Sequence, residues 1–120
     1  MQEFQAYFQS LDAYLRKSSE SILNKVDRVT YSMLVECLKS DDPQAVDEAI
    51  NQLVKEKRLL AIAPLYLVWV AHPHPWLRGR ARDALRSLIA DEELASLTQG
   101  KDIVGSLQEL VQKFGHYKRT

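Results

Sequence analysis

Between Ala71 and Leu88 the chain reads AHPHPWLRGRARDALRSL, a stretch that holds His72, His74, Trp76, Arg78, Arg80, Arg82 and Arg86. Histidines suggest a metal, and arginines suggest phosphate or carboxylate. His72 and His74 are two apart, a spacing better suited to a strand than to a proline-rich corner, and a structural zinc ion takes four ligands. Only Cys37 and His116 could join them, and both lie far away in the sequence. No metal and no cofactor are expected. The histidines are read as exposed corner residues that help to start the helix after Pro75, a residue whose missing N–H is not needed in a first helical turn. Trp76 then sits at that helix's start, either packed on a neighbouring element or presented as an aromatic anchor for a partner.

Counting 100° per residue from Leu77 puts Leu77, Ala81, Ala84, Leu85 and Leu88 on one inner face. Arg78, Arg82 and Arg86 follow at i, i+4 and i+8 along a flank, while Arg80 points elsewhere. Such a strip can hold acidic groups through forked hydrogen bonds, or it can be neutralised by the acidic stretches at Asp41, Asp42 and Asp47 or at Asp91, Glu92 and Glu93. A nucleic-acid backbone normally calls for several more Lys or Arg contacts, and a single strand adds stacking platforms. Only the tail residues His116, Lys118 and Arg119 are to hand for that. No GxxxxGK[ST] loop, GxSxG elbow or HExxH is present, and the glycines stand singly. No catalytic residue is assigned.

The elements that carry these residues follow from composition and period. The chain has 120 residues, enough for one domain with one core. Lys plus Arg and Asp plus Glu are 16 each, so no global field draws it to DNA, RNA or an acidic membrane. Cys37 has no intrachain partner, which excludes a disulfide framework and favours a reducing, cytoplasmic setting; its thiol is expected to be buried and inert. The N-terminus lacks the basic region and apolar core of a signal peptide. The run LLAIAPLYLVWVA (59–71) falls short of a bilayer span and reads as a helix apolar all round, buried in the middle of the domain.

Apolar residues recur at helical spacing in nearly every other segment. Helices are expected at about 2–16, across Ile22 to Val29, at 29–39, 43–56, 61–71, 75–89, 91–98 and 102–114, the last two separated by Gly100. In the first of these, Phe4, Tyr7, Phe8 and Tyr14 form an aromatic face, either a docking surface or a cap packed on the first repeat. No segment alternates like a hairpin strand. The chain therefore reads as all-α.

One offset of 31 residues sets Leu34 on Leu65 and Val46 on Leu77, and brings the turns DDP and HPHP together. Self-similarity at that period signals stacked helix pairs. The second unit resembles a HEAT repeat, particularly the short HEAT-like form of phycobilisome lyases. Its Ile62, Pro64 and Leu65 are followed by the corner His72-Pro73-His74-Pro75, and then by Leu77, Arg78, Ala81, Ala84, Leu85 and Leu88. The first unit matches through Asp41, Val46, Ala49, Ile50 and Leu53. The resemblance implies a short right-handed stack of antiparallel helical hairpins, HEAT-like or armadillo-like, with six to seven helices. Residues 1–29 and 91–114 would cap units at 30–58 and 60–89, and 115–120 would form a flexible tail. It also implies an aspartate–arginine ladder, which in this chain could survive only across the repeats, as Asp41 beside Arg78.

The function expected from these features is non-catalytic: an assembly, scaffold or regulatory factor that binds an acidic surface of another protein through His72, His74, Trp76, Arg78, Arg82 and Arg86. Nucleic-acid binding through the arginine strip is the alternative. A small accessory enzyme, such as a relative of the chromophore lyases, is a third.

Overall fold

The protein is represented by a computed structural model that describes residues 2–19, 25–55 and 59–114. Within them lie seven α-helices and one 3₁₀ turn, with no strand. Helix α4 (Ile62–Ala71) is the centre. Every side chain from Ile62 to Val68 is buried, so all sides of this helix must be covered by other elements. Pro64 is accommodated because it falls in the first turn, where the N–H has no intrahelical acceptor to lose.

The covering elements come from both directions along the chain. Helix α5 (Pro75–Arg86) folds back on α4 after the His-Pro corner. Helices α1 (Gln2–Ser19) and α7 (Ile103–Phe114) pack on α4 and on each other. In α1, Phe4, Phe8, Leu11 and Leu15 form one buried stripe, with the Phe4 and Phe8 rings edge to face at 4.9 Å. Its principal neighbours are thus α4 and α7, so the face is neither open for docking nor mainly a cap on the first hairpin. In α7 the buried stripe is Leu107, Leu110, Val111 and Phe114.

Helices α2 (Lys25–Leu38) and α3 (Pro43–Lys55) form the other hairpin, and α3 lies along α5. Val46, Ala49, Ile50 and Leu53 of α3 are buried, as are Leu77, Ala81, Ala84 and Leu85 of α5. This is the inner face obtained by counting turns from Leu77, with Leu88 half-buried beyond the helix end. The small residues at Ala49, Ala81 and Ala84 add little bulk between the two helices. Two separate sequence segments, Ile22 to Val29 and 29–39, were expected where the described chain runs as one helix from Lys25; Ile22 and Leu23 lie outside the described residues.

The joints are specific. Asp42 opens α3 by accepting the Gln44 amide at 3.0 Å, as an N-terminal cap should. Helix α6 (Asp91–Thr98) starts with Asp91, Glu92 and Glu93, where the helix dipole favours negative charge. Gly100 follows it at φ 74°, a left-handed conformation that suits glycine. Lys39 fastens α1 to the end of α2. Its Nζ reaches Asp12 at 2.6 Å and Glu36 at 2.8 Å and lies over the Phe8 ring.

The link between α2 and the entry to α4 is a buried hydrogen bond. Tyr31 Oη donates to the Leu60 carbonyl of the 3₁₀ turn Leu59–Ala61 at 2.9 Å. Burial, with Asp12 adding to it, holds this phenol far above its ordinary titration range, so it remains a donor. Tyr31→Phe keeps the packing but leaves the carbonyl without this partner. It should lower stability by about 1–2 kcal/mol, measured as a shifted urea midpoint at unchanged slope.

Candidate partner-binding site

The corner between α4 and α5 is built by its own histidine. Helix α4 ends at Ala71, and His72 takes an extended conformation. Its Nδ1 then accepts the His74 amide at 3.0 Å, which fixes the residue before Pro75 and hence the start of α5. The expectation of an exposed corner histidine holds for His74 but not for His72, which is buried at 5% exposure with its ring edge against Phe4 at 4.8 Å. Phe4 comes from the far N-terminal helix, so no local reading of HPHP could have signalled it.

The bond to His74 also fixes the tautomer. A ring nitrogen that accepts cannot carry the proton, so in the neutral ring the proton is on Nε2. That Nε2 is buried and has no hydrogen-bond partner among the described residues. Burial lowers the His72 pKa, and the nearby His74 and Arg78 lower it further.

Trp76 stands in the first turn of α5, half exposed at 50%, with its ring 6.1 Å from that of His74. Of the two sequence-level readings, exposure holds. With Pro73, His74 and Pro75 also exposed, it makes the corner an accessible edge.

The arginines are distributed differently from the expected strip. Arg82 lies over the Trp69 ring, its guanidinium carbon 4.1 Å from the centroid, with Asp91 at 3.9 Å. Arg86 reaches the same Asp91 at 3.5 Å and Asp83 at 3.9 Å. The acidic start of α6 thus partly neutralises both residues. Arg80, read as pointing elsewhere, is the one that crosses between the hairpins: its Nε donates to Asp47 at 2.7 Å and its Nη2 to Asn51 at 2.9 Å. The expected Asp41–Arg78 pair does not form. Arg78 turns back to its own corner, donating from Nη1 to the His72 carbonyl at 3.0 Å. It is the only arginine of α5 without a carboxylate partner among the described residues.

Two clefts flank the corner, and His72 and Pro73 line both, forming the partition between them. One, of about 260 Å³, is mostly apolar and is bounded on the other hairpin by Ser40, Asp41 and Pro43. The other, of about 500 Å³, lies towards α1 and is lined by Glu3 and Arg78 among others. Asp41 and Arg78 line different clefts. Cys37, expected to be buried, is exposed on α2. His116, Lys118 and Arg119 lie outside the described residues. Among the described residues there is no group of three or more His, Cys, Asp or Glu placed to hold a metal ion, and no helix is long and apolar enough to cross a membrane.

No protein-family model matches the chain, and no curated protein or solved structure matches it either.

The buried His72 makes a pH prediction. Protonation would place a charge in a buried site beside Arg78 and remove the acceptor that holds His74. The folded pKa lies below the ordinary imidazole value of about 6.5, so this contribution to stability is fully present above that value. It is lost as the pH falls below 6.5 towards the folded pKa, with a slope of up to about 1.4 kcal/mol per pH unit for one proton. Urea midpoints collected from pH 8 to pH 5 should show the decline. His72→Asn keeps an acceptor for the His74 amide and should flatten that part of the curve.

Proposed function

We propose that the protein is a non-catalytic binding module, a short HEAT-like stack that holds a protein partner at the edge formed by the α4–α5 corner. The observation that carries this reading is the half-exposed Trp76, set beside the exposed Pro73 and His74 on a corner fixed by internal hydrogen bonds. Large aromatic side chains on rigid supports supply contact area at small entropic cost and are enriched at binding hot spots.

The acidic-partner component centres on Arg78. Arg80, Arg82 and Arg86 already have carboxylate partners within the fold, and a group from outside would have to compete with them. Arg78 needs no such exchange. This arrangement favours an assembly or regulatory factor that reads one acidic group next to an aromatic anchor over a nucleic-acid binder, which would need a row of free cations. The exposed thiol of Cys37 fits action in a reducing, cytoplasmic setting.

The test uses the whole chain, immobilised and challenged with nuclease-treated lysate, followed by reconstitution with the purified partner. Trp76→Ala and Arg78→Glu should each weaken binding at least tenfold, whereas Arg82→Glu with Arg86→Glu should have a smaller effect, in variants that keep the wild-type circular dichroism. Retention of nucleic acid in untreated lysate, lost on charge reversal at Arg82 and Arg86, would replace this reading with the alternative. Unaltered partner binding in Trp76→Ala would remove the corner from it.

A further inference from the structure

The larger cleft beside the corner has the composition of a site for one particular chemical group. Phe4, Val70 and Ala71 give it an apolar side, whereas His72, Arg78 and Glu3 are its charged or titratable members. Arg78 is half-buried there, and one of its N–H groups is committed to the His72 carbonyl. That bond orients the guanidinium, whose remaining donors have no partner among the described residues. His72 adds a ring wall to the cleft, and its buried Nε2–H has no partner among the described residues. A half-buried guanidinium with donors to spare calls for an acceptor, and the carboxylate of Glu3 stands exposed at the rim.

The charge available decides which acceptor. A single guanidinium matches a monoanion through two parallel hydrogen bonds. A phosphate ester, close to a dianion at neutral pH, would want further cations, and among the described residues that line the cleft Arg78 is the only one, while the Glu3 carboxylate opposes it. From this we infer that the cleft between the start of α1 and the α4–α5 corner binds a carboxylate carried on a short aliphatic chain, with Arg78 gripping the carboxylate and the chain lying against Phe4, Val70 and Ala71. The inference deepens the partner-binding reading, since an acidic side chain of the partner would supply this group. A free small carboxylic acid would present the same chemistry.

The cleft can be tested without any partner. The full chain, labelled for NMR, is titrated with sodium butanoate and, separately, with an acetylated and amidated tripeptide carrying a central glutamate, its glutamine counterpart serving as the control. Saturable shifts are expected at the Arg78 Nε–H and the His72 ring, absent with the glutamine peptide. Arg78→Gln should weaken binding at least tenfold, Arg78→Lys less so because the charge survives without the fork, and Arg86→Gln should leave it unchanged. Glu3→Gln should tighten binding severalfold, a gain that damage to the fold would not produce. Tighter binding of the glutamate peptide than of butanoate assigns the carboxylate to a protein partner, and the reverse order assigns it to a free acid; either supports the site. Absence of saturable shifts at Arg78 with both probes, or an unaltered response in Arg78→Gln, overturns it. If Arg78→Gln does not fold, failure of Glu3→Gln to tighten binding overturns it equally. Trp76 does not line this cleft, so loss of partner capture in Trp76→Ala is independent of the titration result.

Discussion

A helix with no polar face cannot be left at a surface, and the architecture of this protein is the set of consequences that follow for α4. Burying Ile62 through Val68 removes a large apolar area from water, at roughly 25 cal/mol per Å², but only if neighbours close on every side. Helix α5 does so from the adjacent hairpin arm, α1 and α7 from the two ends of the described chain. The corner that turns α4 into α5 is therefore under two constraints at once. It must reverse the chain within a few residues, and it must leave room for the first turn of α1, whose Phe4 meets it.

That double constraint accounts for His72. A smaller acceptor could hold the His74 amide, as aspartate or asparagine does in many turns. The imidazole also offers Phe4 a ring to pack on, at the cost of an N–H that none of the described residues satisfies. Arg78 turns back onto the corner carbonyl, so its guanidinium is tied to the turn itself.

How much of this was legible in the sequence depends on the range of the interaction. Helical periods, Pro75, Asp42 and Gly100 are local signals, and they located six of the seven helices to within a few residues at most ends while dividing α2 in two; the apolar run 59–71 announced the central helix by composition alone. The inner face of α5 followed from a fixed 100° step. Interactions between distant elements were another matter. Arg80 was set aside because it fell off the flank of its own helix, yet off that flank is where α3 lies, so it meets Asp47. Arg82 and Arg86 looked like a free strip until α6 brought Asp91 beside them. The burial of His72 likewise depends on where α1 rests, which no periodicity encodes.

The packing of α1 against α7 gives the fold an order in time. These helices are nearly the whole described chain apart, and each covers part of the same central helix. During synthesis α4 is made before α7, and until α7 packs against it one side of this apolar helix stays uncovered. Contacts so distant in sequence form late, because a long loop must be closed before they return any energy. The central helix is thus made early and enclosed last. During that interval it depends on whatever else in the cell shields exposed apolar surface.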